Sequence, residues 1–198
     1  MANNVVTGEG RFSYTYLNKP AEGMNGSAAK YRTKFLIPKT DTATISALND
    51  AMEKAVQEGI QDKWSGKRPK KFRNWPLQDG DGTREFDGEE FGEECKGCWV
   101  LSASAREDHK PMGYKQVGKK GVPVEPSDVY AGMYGKLMVS FYPYANSGNN
   151  SIACSLNGFL KTRDGEAFGG GAPATAADFG LESGAADFEV VEDDLGDI

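Results

Sequence analysis

Five stretches in the first 165 residues carry the apolar and polar spacing of half-buried strands. Arg11–Leu17 alternates aromatic with small or polar groups, and Lys30–Ile37 puts Tyr31, Phe35 and Ile37 on one face and Lys30, Arg32 and Lys34 on the other. Gly97–Ala105, rich in small and apolar residues, predicts a third strand. Tyr134–Tyr144 predicts a fourth, with Leu137, Val139 and Phe141 inward and Lys136, Ser140, Tyr142 and Tyr144 outward. The turn residues Asn146–Asn150 then send Ser151–Lys161 back as the second arm of an antiparallel hairpin, with Phe159 and Lys161 on its outer face.

A single helix breaks this pattern. Thr40 or Asp41 is placed to cap it, Ile45, Leu48, Met52, Ala55 and Val56 form its stripe, and Gly59 is placed to end it. The intervals 62–95 and 106–128, rich in Gly, Pro and charge, predict long loops on a mainly β scaffold. Beyond Gly165 the pattern vanishes. Residues 166–177 have a Gly/Ala/Pro linker composition, and residues 178–198 are acidic with isolated apolar side chains, which predicts a disordered tail. The expected division is therefore a domain over 1–165, a linker and a tail.

Charge sharpens that division. The whole chain carries −6, but nine acids and no Lys or Arg lie from Glu166 onward, which leaves the first 165 residues at +3. A basic body with a detached acidic end suggests a polyanion partner. No stretch has the length and apolarity of a membrane span, no secretory leader is visible at Met1–Gly8, and three cysteines predict reduced thiols in a cytoplasmic protein.

The strongest chemical signal is Lys63–Pro76, where six bases and three aromatics occur without an acid. Cations follow a phosphate backbone, and aromatic faces stack on unpaired bases. Lys67, Arg68, Lys70, Lys71 and Arg73 are the candidate phosphate-binding groups, with Trp64, Phe72 and Trp75 as candidate stacking groups; alternatively the tryptophans plug the core. A second candidate surface is the outer face of the strands, with Lys30, Arg32, Lys34, Tyr142, Tyr144, Phe159 and Lys161.

Other chemistry is thinner. Cys95 and Cys98, with His109 and Cys154, supply four candidate zinc ligands but no second pair at the usual spacing, so no metal is expected. Asp79–Glu90 echoes a calcium loop, but Arg84 stands where a glycine is required. Asp79, Asp81, Asp87 and Glu89 are the carboxylates a metal-dependent nuclease would use. No cofactor motif is present, and nothing demands an enzyme; a protein-docking module is the remaining alternative.

Gly10-Arg11-Phe12-Ser13-Tyr14, Lys30-Tyr31, Leu36-Ile37-Pro38-Lys39, Lys63-Trp64, Pro76–Asp81 and Val129–Gly135 occur in this order. With the helix, this ordered set resembles a family of tailed-phage single-stranded-DNA-binding proteins over about residues 8–170. The resemblance implies an OB-fold-like antiparallel barrel and binding of single-stranded DNA without sequence preference. It also implies a part in phage DNA replication or recombination. Finally, it implies an acidic tail that recruits replication or recombination proteins and competes with DNA, here including Phe188, Glu192, Asp193, Asp194, Leu195, Asp197 and Ile198. The Cys95–Cys98 pair has no counterpart in that expectation.

Overall fold

In the computed structural model, residues 4–23, 26–73, 75–146 and 149–169 are described; the tail residues named above lie outside them. In chain order the elements are β1 (Val5–Val6), β2 (Gly10–Ala21), β3 (Lys30–Pro38), α1 (Thr42–Asp62), β4 (Leu77–Asp79) and β5 (Cys98–Arg106), followed by β6 (Met112–Val117), β7 (Lys120–Pro123), β8 (Tyr134–Asn146) and β9 (Asn149–Arg163). The mainly β, one-helix expectation holds among the described residues. That helix is not long and apolar enough to cross a membrane.

Strands β8, β2, β3, β5 and β9 hydrogen-bond in that order, and β9 pairs with β8 to close a ring. Most pairings are antiparallel, as expected, but β9 runs parallel to both β5 and β6. The reason is parity. Strand direction cannot alternate all the way around a ring of five, so at least one junction must be parallel. Phe12, Phe35, Leu101, Leu137, Val139, Leu156 and Phe159 fill the ring from inside, and Leu48 and Met52 of α1 close it on one side. Phe12 meets Phe35 and Phe159 edge-on, at centroid distances of 4.9 and 6.0 Å.

Two bulges decide which side chains face out. In β2, Phe12 pairs with Phe35 and Tyr14 with Lys34, which leaves Ser13 unpaired. In β9, Gly158 pairs with Met138 and Leu156 with Val139, which leaves Asn157 over. One extra residue inverts the facing of everything beyond it. Ile152, Cys154 and Leu156 therefore face in before the second bulge, and Phe159 and Lys161 face in after it. This overturns the outward placement of Phe159 and Lys161. The Asn157 side-chain amide secures the bulge, donating to Ser140 Oγ (3.0 Å) and Asn4 Oδ1 (2.8 Å) and accepting from Ser155 Oγ (3.1 Å). Ser140, expected outward, is buried beside it.

Asp41 caps α1, its carboxylate accepting from Thr44 N–H at 3.1 Å. Gly59 does not end the helix. Its carbonyl accepts from both Lys63 and Trp64 N–H. A Cβ at this position would lie 2.6 Å from the Trp64 ring, so the glycine admits an indole. The two expected loops also hold structure: β4 pairs with β5, and β6 with β7 forms a hairpin beside β9.

Candidate nucleic-acid interface

The outer face of β2 and β3 carries a small lattice of aromatic and cationic groups. The Ser13 bulge turns Tyr14 and Tyr16 away from the core, where each pairs across the strands with a base, Tyr14 with Lys34 and Tyr16 with Arg32. Tyr14 is 46% and Tyr16 39% exposed, with ring centroids 5.0 Å apart. A hydrogen bond with Tyr16, then burial, raises the Tyr14 pKa above its ordinary value, so its ring stays neutral. On the next strand, Ser104 and Ser102 oppose Arg32 and Lys34, continuing the surface with small groups. Arg32 Nη2 donates to the Glu22 carbonyl at 3.0 Å. Its Nε is the one buried side-chain nitrogen or oxygen without a hydrogen-bond partner among the described residues. Such an orphaned donor is costly unless a ligand atom meets it.

Arg32 and Lys34 of β3, with Ser102 and Ser104 of β5, line a cleft of about 550 Å³ that is also lined by Trp75, Tyr144, Phe86 and Phe91. Lys34 Nζ lies 6.0 Å from the centre of the Phe91 ring. A second cleft of about 600 Å³ is lined by Lys71, Phe72, Arg73, Glu85, Asn149 and Asn150, and Phe86 borders both.

The basic-aromatic segment divides between these surfaces and the core. Trp64 is buried, and its Nε1–H donates to the Tyr144 carbonyl at 3.2 Å. Its ring lies 5.6 Å from Phe72, which lies 5.1 Å from half-buried Trp75. The three rings thus form a chain from the core outward, with Phe72 lining the second cleft and Trp75 the first. The stacking role expected for Trp64 is corrected accordingly: its ring is buried against Gly59, in a cluster with Ala55, Val56 and Ile152. Lys67, Lys70, Lys71 and Arg73 are exposed, whereas Arg68 forms a two-pronged pair with Glu53 at 2.7 and 3.1 Å. The Arg73 carbonyl accepts from Ser151 Oγ, which ties the segment to β9.

Of the strand candidates, Lys30 and Tyr142 are exposed, and Arg32, Lys34 and Tyr144 line the first cleft. Lys161 is a buried strut instead, donating to the Asp128 carbonyl (2.8 Å) and pairing with Asp164 (2.7 Å) over the Tyr130 ring. Sequence reasoning missed Tyr14, Tyr16 and Phe86. The tyrosines were visible as alternation, but their facing depends on a bulge with no sequence signature.

The metal readings do not assemble. Among the described residues no three His, Cys, Asp or Glu side chains converge to hold an ion. Cys95 packs with Leu36 and Val100, Cys154 lies in the main core, and His109 sits on an exposed turn bonded to Asp108. Lys39 Nζ bridges Asp79 (2.6 Å) and Asp81 (2.7 Å), occupying the place a cation would take, and holds both carboxyls below their ordinary range. Asp87 pairs with Arg84 at 2.8 Å. These carboxylates brace turns.

A family profile described as the ssDNA-binding protein of Enterobacter phage Enc34 matches residues 3–191. The chain belongs to this family. The family is described by single-stranded-DNA binding. Protein p50 of Acyrthosiphon pisum secondary endosymbiont phage 1 is 31% identical over 179 residues, spanning 85% of this chain and 88% of that one. The single-stranded DNA-binding protein of bacteriophage Enc34, solved in complex with ssDNA, has a similar fold, with a TM-score of 0.68 at 24% identity over 84% of this chain and 89% of that one. The single-stranded DNA binding protein gp2.5 of bacteriophage T7 is also similar in fold, with a TM-score of 0.57 at 15% identity over 87% and 98%.

Proposed function

We propose that this chain binds single-stranded DNA without sequence preference, on the outer face of β2 and β3 and along the two clefts beside it. The observation that carries the reading is the Tyr14–Lys34 and Tyr16–Arg32 lattice with its unsatisfied Arg32 Nε. Cations there and at Lys30, Lys67, Lys70, Lys71 and Arg73 would pair with phosphates, while Tyr14, Tyr16, Trp75, Tyr142 and Tyr144 offer faces to unstacked bases. Every base has a π-face, so such a surface accepts any sequence. The mechanism is sequestration: a strand held this way stays unpaired and protected. Membership of the Enc34 family, and the ssDNA complex of the Enc34 protein itself, support the reading.

We assign the protein a part in phage DNA replication or recombination in the host-cell cytoplasm. In this reading residues 1–165 bind DNA, 166–177 link, and the acidic residues of 178–198 compete with DNA and recruit replication or recombination proteins. Charge supports this division, with a body at +3 and an end whose charged side chains are all acidic.

Replacing Arg32 and Lys34 together by Ala tests the core of the proposal. Affinity for an unstructured oligonucleotide should fall, and the slope of log affinity against log salt should shrink by about 0.7 for each phosphate no longer neutralised. A folded variant that binds with the same affinity and salt dependence would refute it.

A further inference from the structure

We infer that the Arg84–Glu90 turn is the element that distinguishes single-stranded from double-stranded DNA, with Phe86 stacking on one unpaired base where the two clefts meet. This rests on the DNA-binding reading above and goes beyond it, because an acidic turn is the last place a charge argument would put a DNA contact. Phe86 is 80% exposed, and both clefts share it. Exposure of one apolar ring alone is ordinary; what singles out Phe86 is its position, bordering both clefts beside their cationic walls.

The turn is built to hold it there. Arg84 pairs with Asp87 at 2.8 Å, and Gly88, at a positive φ of 75°, donates its N–H back to the Arg84 carbonyl at 2.9 Å. Arg84 N–H donates to the Glu89 carbonyl at 2.8 Å, and Thr83 bridges Glu90 below. Glu85 anchors the turn to the cleft wall, accepting from Trp75 N–H at 3.2 Å and donating its own N–H to Gln78 Oε1 at 3.4 Å.

Charge then decides what Phe86 meets. Arg32 and Lys34 line one cleft, and Lys71 and Arg73 line the other, so phosphates are drawn to those positions. Glu85 lines the second cleft and Asp87 the first, and with Arg84 held in its pair with Asp87 the four carboxylates of the turn leave it net negative, which repels phosphate. A strand lying in the clefts therefore turns a base, not its backbone, toward Phe86. A duplex has no free base face to offer there, and its second backbone would be pressed toward the carboxylates.

The test compares Phe86→Ala and Phe86→Tyr in the full chain, titrated at low salt with a single-stranded oligonucleotide, the same strand made abasic, and a duplex. Phe86→Ala should weaken binding to the natural strand roughly 5- to 150-fold, the range for losing one stacked base. Binding to the abasic strand and to duplex should not change, and Phe86→Tyr should restore the wild-type preference. Because the ring is exposed, the melting temperature should stay constant. No loss on the natural strand, or an equal loss on the abasic strand, overturns the inference while leaving the DNA-binding reading intact. A wild-type chain that does not bind the natural strand removes both.

Discussion

Trp64 and Trp75 lie at opposite ends of one aromatic chain, and replacing each by Ala should separate packing from recognition. Trp64 is 5% exposed, covers Gly59 and donates one hydrogen bond. Truncating a buried tryptophan costs about 3–5 kcal/mol once the cavity is included. For a domain of this size, roughly 2–4 °C is lost per kcal/mol, so the melting temperature should drop by about 6–20 °C. Affinity measured well below that temperature should change little, because Trp64 shows no face to the clefts. Trp75→Ala should reverse the pattern, with a smaller thermal loss and an affinity reduced about 5- to 150-fold. Thermal denaturation and fluorescence anisotropy on the same preparations supply both readings. If Trp64→Ala lost DNA affinity at an unchanged melting temperature, the placement of this ring in the core would be wrong.

Deleting residues after Gly171 removes eight of the nine C-terminal acids and should tighten single-strand binding, most at low salt, while abolishing capture of a replication partner; equal low-salt affinities of full and shortened chains would remove the competition claim. The thiols should resist alkylation at pH 8 in the native protein, since burial pushes Cys95 up to about 11 and raises Cys98 and Cys154 as well; rapid labelling of Cys95 or Cys154 before unfolding would contradict their burial.

Strand existence was legible in the sequence because period-two alternation survives in short windows, as in Lys30–Phe35, where exposed or half-buried bases alternate with buried side chains. Facing was less legible. Ser13 and Asn157 look like ordinary strand residues, yet each shifts the phase by one and so exchanges inside for outside. Phe159 and Lys161 were misplaced for this reason, and Tyr14 and Tyr16 were passed over for the same one. Gly59 reads as a helix stop because glycine often is one; its real partner, the Trp64 ring, lies over it because the last turn closes with both Lys63 and Trp64 N–H on the Gly59 carbonyl. Phe86 was hidden by its neighbours. Four carboxylates in six residues read as a solvated loop until the fold sets that loop against the basic face.

The parallel junction that parity forces on the ring has a dynamic consequence. β5 and β9 share a single aligned pair, Ser104 with Ser155, whereas β3 and β5 are aligned over nine. A junction with so few shared bonds is where the sheet should open first, giving amides near Ser104 and Ser155 faster hydrogen exchange than those between β3 and β5. Ser104 and Ala153, one on each side of that seam, both line the first cleft. A nucleic-acid strand lying across them would span the seam and hold it shut, so occupancy would register as slowed exchange there even where no amide touches the ligand.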